Sequence, residues 1–237
     1  MHRVLALILV CLPVLDFADC KEDLSDWAKT LHPDLTFDQM HSVCKVSPVD
    51  PGRTLAALVF IEKKDSDDET TYGLEVLSAD GGTIESHIYE SAAIFSDAIQ
   101  FDGLGLDTAR YQIATATRAF GVRVKYLGSS RIYKYWSTEL NLYVDDGRKL
   151  RKVLGGLEVE KVNGDWDGYC EGNSSGTTST IALGKASNKG YVSLEVTDKT
   201  IHYHSVVEGD DCINKDDKPV LKKHALIYNG KQYNKSK

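Results

Sequence analysis

From residue 54 onward the chain is written as short runs of β-branched and aromatic residues separated by turn dipeptides, and no other feature narrows its fold as much. The runs cover 55–62, 72–77, 83–89, 119–126, 139–144, 157–162, 178–183, 191–196, 201–207 and 225–228. Between them stand Asp80-Gly81-Gly82, Asp145-Asp146-Gly147, Asn163-Gly164 and Asn229-Gly230, residues that supply the positive φ angles of tight hairpins. Short strands joined in this way pair antiparallel. The expected architecture over 54–237 is therefore a mainly β domain, an antiparallel sandwich or barrel.

The N-terminal part reads differently. Residues 1–18 carry a short basic start, His2 and Arg3, followed by an apolar run, the layout of a signal peptide and too short to span a membrane as a helix. Asp19 beside Cys20 argues against a lipidated cysteine. Leu24, Trp27, Ala28 and Leu31 recur at helical spacing until Pro33, which predicts a first helix. Phe37, Met40, Val43 and Cys44 also share a helical face, so residues 19–47 are expected to form a helical hairpin, giving an α+β chain overall. Val46 to Gly52, with Pro48 and Pro51, reads as a linker.

Removal of the leader leaves Cys20, Cys44, Cys170 and Cys212. An even number of cysteines in an exported chain predicts disulfides, and the pairing Cys20–Cys44 with Cys170–Cys212 closes moderate loops within each region. A periplasmic or secreted location follows from the same features. The net charge of −7 sets nucleic acid and anionic membranes apart as partners, since either encounter starts from repulsion, and suits a basic partner. No second long apolar run follows the leader, so no membrane span is expected, and no cofactor motif is spelled.

Three patterns resemble chemical sites. Asn163-Gly164-Asp165-Trp166-Asp167-Gly168 opens like a calcium loop, but the closing position is Ser174 instead of a bidentate glutamate, so a hairpin turn at Asn163-Gly164 is expected, with Trp166, Tyr169 and Cys170 buried behind it. His202, His204 and Glu208 have metal-ligand spacing, with both imidazoles on one strand face and His224 as a further candidate. Gly172-Asn173-Ser174-Ser175-Gly176 matches the nucleophile elbow of serine hydrolases, yet the β-branched run that follows is no helix, so Ser174 reads as a loop serine. The charged stretch 210–218 reads as a solvated loop.

The richest candidate surface is the cluster Lys125, Tyr126, Arg131, Tyr133, Lys134, Tyr135 and Trp136, where aromatics and cations interleave. Such a surface suits sugars, peptides or an acidic protein loop. The segments 119–124 (AFGVRV), 140–154 (LNLYVDDGRKLRKVL) and 226–233 (LIYNGKQY) resemble exported β-rich proteins of Gram-negative bacteria to which no function is assigned. That resemblance implies a periplasmic β-rich protein and brings no catalytic residues. Together these features give an expectation of an exported, non-catalytic binding protein with an envelope protein partner, an inhibitor or immunity protein in kind. A metal-dependent or serine hydrolase and a structural envelope component stand as the alternatives.

Overall fold

The computed structural model describes residues 20–65 and 69–235, apart from the side chains of 186–188. The expected signal peptide lies outside the described residues. Among the described residues one helix, α1 (Lys21–Leu31), precedes thirteen strands. The first four, β1 (Thr36–Ser47), β2 (Asp50–Lys64), β3 (Thr70–Asp80) and β4 (Thr83–Ser96), form an antiparallel sheet in chain order. A larger antiparallel sheet holds β5 (Ile99–Ala114), β6 (Thr117–Gly128), β7 (Tyr133–Asp145), β8 (Leu150–Trp166), β9 (Gly172–Asn188) and β10 (Tyr191–Glu208). The outer side of β10 pairs with β12 (Val220–Tyr228) along its first half and with β11 (Asp211–Asp216) along its second, and β13 (Tyr233–Lys235) flanks β12.

Three hydrophobic clusters hold these layers together. In β2 the six residues Leu55 to Phe60 are all buried, which an alternating half-exposed strand never shows. The reason is a layer on each side. Ala56, Leu58 and Phe60 face α1 through Leu24, Trp27 and Ala28, while Ala57 and Val59 meet Phe101, Val122 and Tyr143 of the larger sheet. A third cluster joins Leu140, Leu142 and Val144 of β7 to Leu194 and Val196 of β10, so the larger sheet folds over on itself. Each fully buried side chain of this size contributes about 1.5–3 kcal/mol relative to exposure. The mainly β, sandwich-like class expected from the sequence is present.

The second expected helix is absent. Residues 36–47 form β1, paired with β2 from Thr36 opposite Ile61 to Ser47 opposite Asp50. A register shift between Asp38 and Val43 absorbs extra residues, and this bulge produces the false helical spacing. Met40, counted on the apolar face of that helix, projects into solvent at 88% exposure. Ser42 locks the bulge by donating to the Asp38 carbonyl and accepting from the Val59 N–H. The linker expected at 46–52 is instead a tight hairpin: Val46 and Ser47 end β1, Asp50 to Gly52 begin β2, and only Pro48 and Val49 connect them.

α1 is tied down at both ends. The Cys20–Cys44 disulfide fixes its N-terminus to β1, and the Trp27 indole donates to the Gly82 carbonyl in the β3–β4 turn at 2.8 Å. Cys170–Cys212 is the second bridge, so both pairings read from the sequence are formed.

The turns at Asp80-Gly81-Gly82, Asp145-Asp146-Gly147 and Asn229-Gly230 fall between strands as expected. Asn163-Gly164 does not: it lies within β8, paired with Tyr135 and Lys134 on one side and with Ser175 and Ser174 on the other. The glycine serves close packing there, because a Cβ would sit 2.4 Å from the Asn173 carbonyl oxygen. The reversal comes at Gly168, with φ +88°, and the Asp167 carboxylate accepts the backbone N–H groups of Tyr169 and Cys170 at 2.8 Å each. Those bonds hold Asp167 below the usual carboxylate range. Cys170 is buried, but Tyr169 is exposed and Trp166 joins none of the three core clusters.

Candidate functional site

The far end of the larger sheet leaves the body of the protein. In residues 160–180 and 199–218 the only buried residue is Cys170. Here the end of β8, the start of β9, the second half of β10 and β11 form a single layer, extended by the start of β7 and the end of β6 and open to solvent on both faces. We call it the blade. Leu127, Ile132, Tyr133, Trp136, Tyr169 and Val207 are among its exposed large hydrophobic residues. A sheet with apolar side chains on an open layer lacks the burial that normally supports it. Its supports are the backbone ladder and the Cys170–Cys212 staple.

Strand alternation divides the sequence-predicted cluster between the two faces. Lys125, Lys134 and Trp136 share one face, the front, with Leu127, Val162 and Ile201. Tyr126, Tyr133 and Tyr135 lie on the back, and Arg131 is exposed in the β6–β7 connection. Side-chain contacts follow this division. On the front, the Lys134 ammonium lies 5.3 Å from the Trp166 ring centre. On the back, Lys161 lies 5.8 Å from the Tyr135 ring, and Ser175 donates to Asn163 at 3.0 Å. Tyr126 is turned partly inward, and burial together with the Glu139 charge raises its phenol to about 12.

His202 and His204 do share the back face, as their spacing requires. His204 is hydrogen-bonded to Asn173 at 2.8 Å and lies 3.4 Å from Asp217. Glu208 is engaged by Lys215. His224 stands opposite Val196, about 20 Å along β10 from His202, and approaches Asp198 at 3.4 Å. No group of three or more His, Cys, Asp or Glu side chains able to hold a metal occurs among the described residues, so the proposed ligand set is not brought together. Ser174 lies near the start of the extended strand β9, opposite Gly164 and Tyr203, with no helix after it. The nucleophile elbow is therefore not formed, and the Gly- and Ser-rich stretch is β9 instead of a loop. Likewise, most of 210–218 is β11.

Two clefts border the blade. At its tip, Ile132, Tyr133, Asp165, Trp166 and Glu171 line a cleft of about 320 Å³. On the front, Trp136, Val162, Gly176, Ile201 and Tyr203 line a trough of about 340 Å³. A separate polar cluster in the body escaped the sequence reading. Glu75 of β3 is fully buried between His32, whose Nε2 is 2.7 Å away, and His87, whose Nδ1 is 3.2 Å away. It joins the end of α1 to the sheet. Its only sequence signal is one carboxylate inside the apolar run Leu74–Leu77.

Fold and site define a disulfide-stapled, sandwich-like β protein that carries a single-layer sheet extension. No protein-family model, characterised protein or solved structure matches the chain.

Proposed function

We propose that the chain is an exported, non-catalytic binding protein whose blade tip and back face receive a protein partner with a basic surface. The observation that carries this reading is the blade itself, an exposed two-sided sheet bearing large apolar side chains. Such surfaces are characteristic of contact with other molecules. Charge supports the sign of the partner. Tyr133, Asp165 and Asn173 form one row on the back, Glu171 and Asp210 lie in the neighbouring turns, and neither Asp165 nor Glu171 has an ion-pair partner among the described residues. A lysine or arginine entering the tip cleft meets carboxylates with aromatic walls beside them.

Export is supported by the two disulfides, and no described helix is long and apolar enough to cross a membrane. A periplasmic or secreted inhibitor or immunity protein fits these features. The test is capture from envelope extract with the mature chain, followed by identification of the bound species and repetition with Asp165→Asn/Glu171→Gln. A basic protein retained at low salt, released at high salt and lost with the double variant is the expected result. Retention that is indifferent to salt and to the double variant would overturn the reading, as would the absence of any retained protein.

A further inference from the structure

We infer that the front of the blade is a separate binding site, for a linear anionic glycan lying across the strands. The inference goes beyond the proposed protein partner and uses different residues. Its basis is two adjacent ladders on one face, each followed residue by residue through the strand register. The first runs Leu127, Trp136, Val162, Gly176 and Ile201 across β6 to β10. The second, one pleat away, runs Lys125, Thr138, Glu160, Thr178 and Lys199 across the same strands. An apolar stripe thus lies beside a polar one, perpendicular to the strands and about 19 Å long at ordinary strand spacing.

Gly176 forms part of the floor of the front trough, where the Tyr203 ring and Val162 pack so close that a Cβ would lie 3.3 Å and 3.5 Å from them and a larger residue would push both into the trough. Trp136, 44% exposed, stands on one side of this floor, and Ile201 and Tyr203 stand on the other. A pyranose ring has an apolar C–H face suited to an indole, with hydroxyl groups around its edge. The exposed Thr178 hydroxyl, the Glu160 carboxylate and lysine ammonium groups supply both acceptors and donors for them, while the buried Thr138 hydroxyl holds Glu160 in place. A peptide strand would need free backbone N–H and C=O groups, but β7 to β9 are central strands whose backbone groups are taken by neighbours.

Charge fixes the class of glycan. The chain carries −7 overall, yet this stripe ends in Lys125 and Lys199, neither with an ion-pair or hydrogen-bond partner among the described residues. Its central Glu160 accepts from the Thr138 hydroxyl, and Asp216 lies further out on the edge strand. Two free ammonium groups at the ends of a stacking stripe match carboxylates spaced along a polymer, as in a uronic-acid glycan.

The test uses the mature chain and four probes: an oligogalacturonate, an oligomannuronate, a neutral cello-oligosaccharide and a short oligothymidylate. Binding is followed by calorimetry and by tryptophan fluorescence. At least one uronate oligomer is expected to bind and to perturb the fluorescence. Trp136→Ala and Gly176→Val are each expected to weaken it about tenfold, the loss of one stacking contact. Lys125→Gln/Lys199→Gln is expected to weaken it and flatten its salt dependence, and unfolding curves check that each variant is folded. Asp165→Asn/Glu171→Gln should leave uronate binding intact, which separates this site from the protein-partner site. Equal or tighter binding of the neutral glycan overturns the anionic class, tighter binding of the oligothymidylate overturns the glycan, and no binding by any probe overturns the site.

Discussion

The body of the protein and its blade are built from the same continuous strands but held by different forces. In the body, β2 is buried on both faces, with α1 on one side and the larger sheet on the other. In the blade, the same kind of backbone ladder continues with solvent on both faces. Strand β10 shows the change within one element: Leu194 and Val196 are buried, whereas His202 and Val207 are exposed. Hydrogen bonding alone contributes little net stability in water, so a sheet without a core depends on its neighbours and on its staple. The body supplies rigidity, and the blade displays side chains that a sandwich would hide.

Substitutions in the two regions should differ sharply. Phe60→Ala removes a fully buried ring packed near His32, Phe37 and Tyr89, and an unfolding cost of about 3–5 kcal/mol is expected in urea denaturation. A cost below about 1 kcal/mol would mean that the α1-facing layer is not a true core.

The two disulfides give the next contrast. Replacing Cys20 and Cys44 by serine frees α1 from β1, with an expected loss of about 2–4 kcal/mol of global stability. Replacing Cys170 and Cys212 should move the global midpoint far less while exposing the turns near 168 and 209 to limited proteolysis. Equal shifts of the midpoint for both pairs would erase the distinction between body and blade.

A smaller effect depends on pH. Asp107 is pushed upward by burial, but the Ala109 N–H, the Arg123 guanidinium and the Tyr111 hydroxyl together hold it below its ordinary value. A carboxylate depressed in the folded state stabilises the fold above its unfolded pKa, and that contribution fades as pH falls through the folded value. Asp107→Asn is therefore expected to cost about 1–3 kcal/mol at neutral pH and little in strong acid. A cost independent of pH would assign the effect to packing. Smallest of all, Trp136→Ala should change stability by less than about 0.5 kcal/mol, because no core cluster contains it.

The sequence spells the body more clearly than the blade, for physical reasons. Leu55 to Phe60 form an unbroken apolar run because both faces are covered, and three of the four turn signals mark real reversals. The false helix at 36–47 arose because a bulge shifts a period of two toward the helical one. β5 carries no clear alternation for a related reason: three register shifts interrupt it. Residues 191–196 and 201–207 looked like two strands because the polar stretch Thr197 to Thr200 separates them, yet β10 is continuous and that stretch marks its exit from the core. The start of β9 looked like a loop because a strand without a core need not be apolar, and Ser, Thr and Gly satisfy the ladder. The composition of the aromatic hairpin was visible, but its division between front and back depends on register, which residue spacing alone did not fix.

Residue-resolved hydrogen exchange of the unliganded mature chain tests the division between body and blade most directly. Amides of 160–166, 172–178 and 203–208 should exchange through local openings well below the free energy of global unfolding, while those of 55–60 and 140–144 exchange only with it. Protection of the blade strands equal to that of β2 would contradict a coreless, partner-ready sheet.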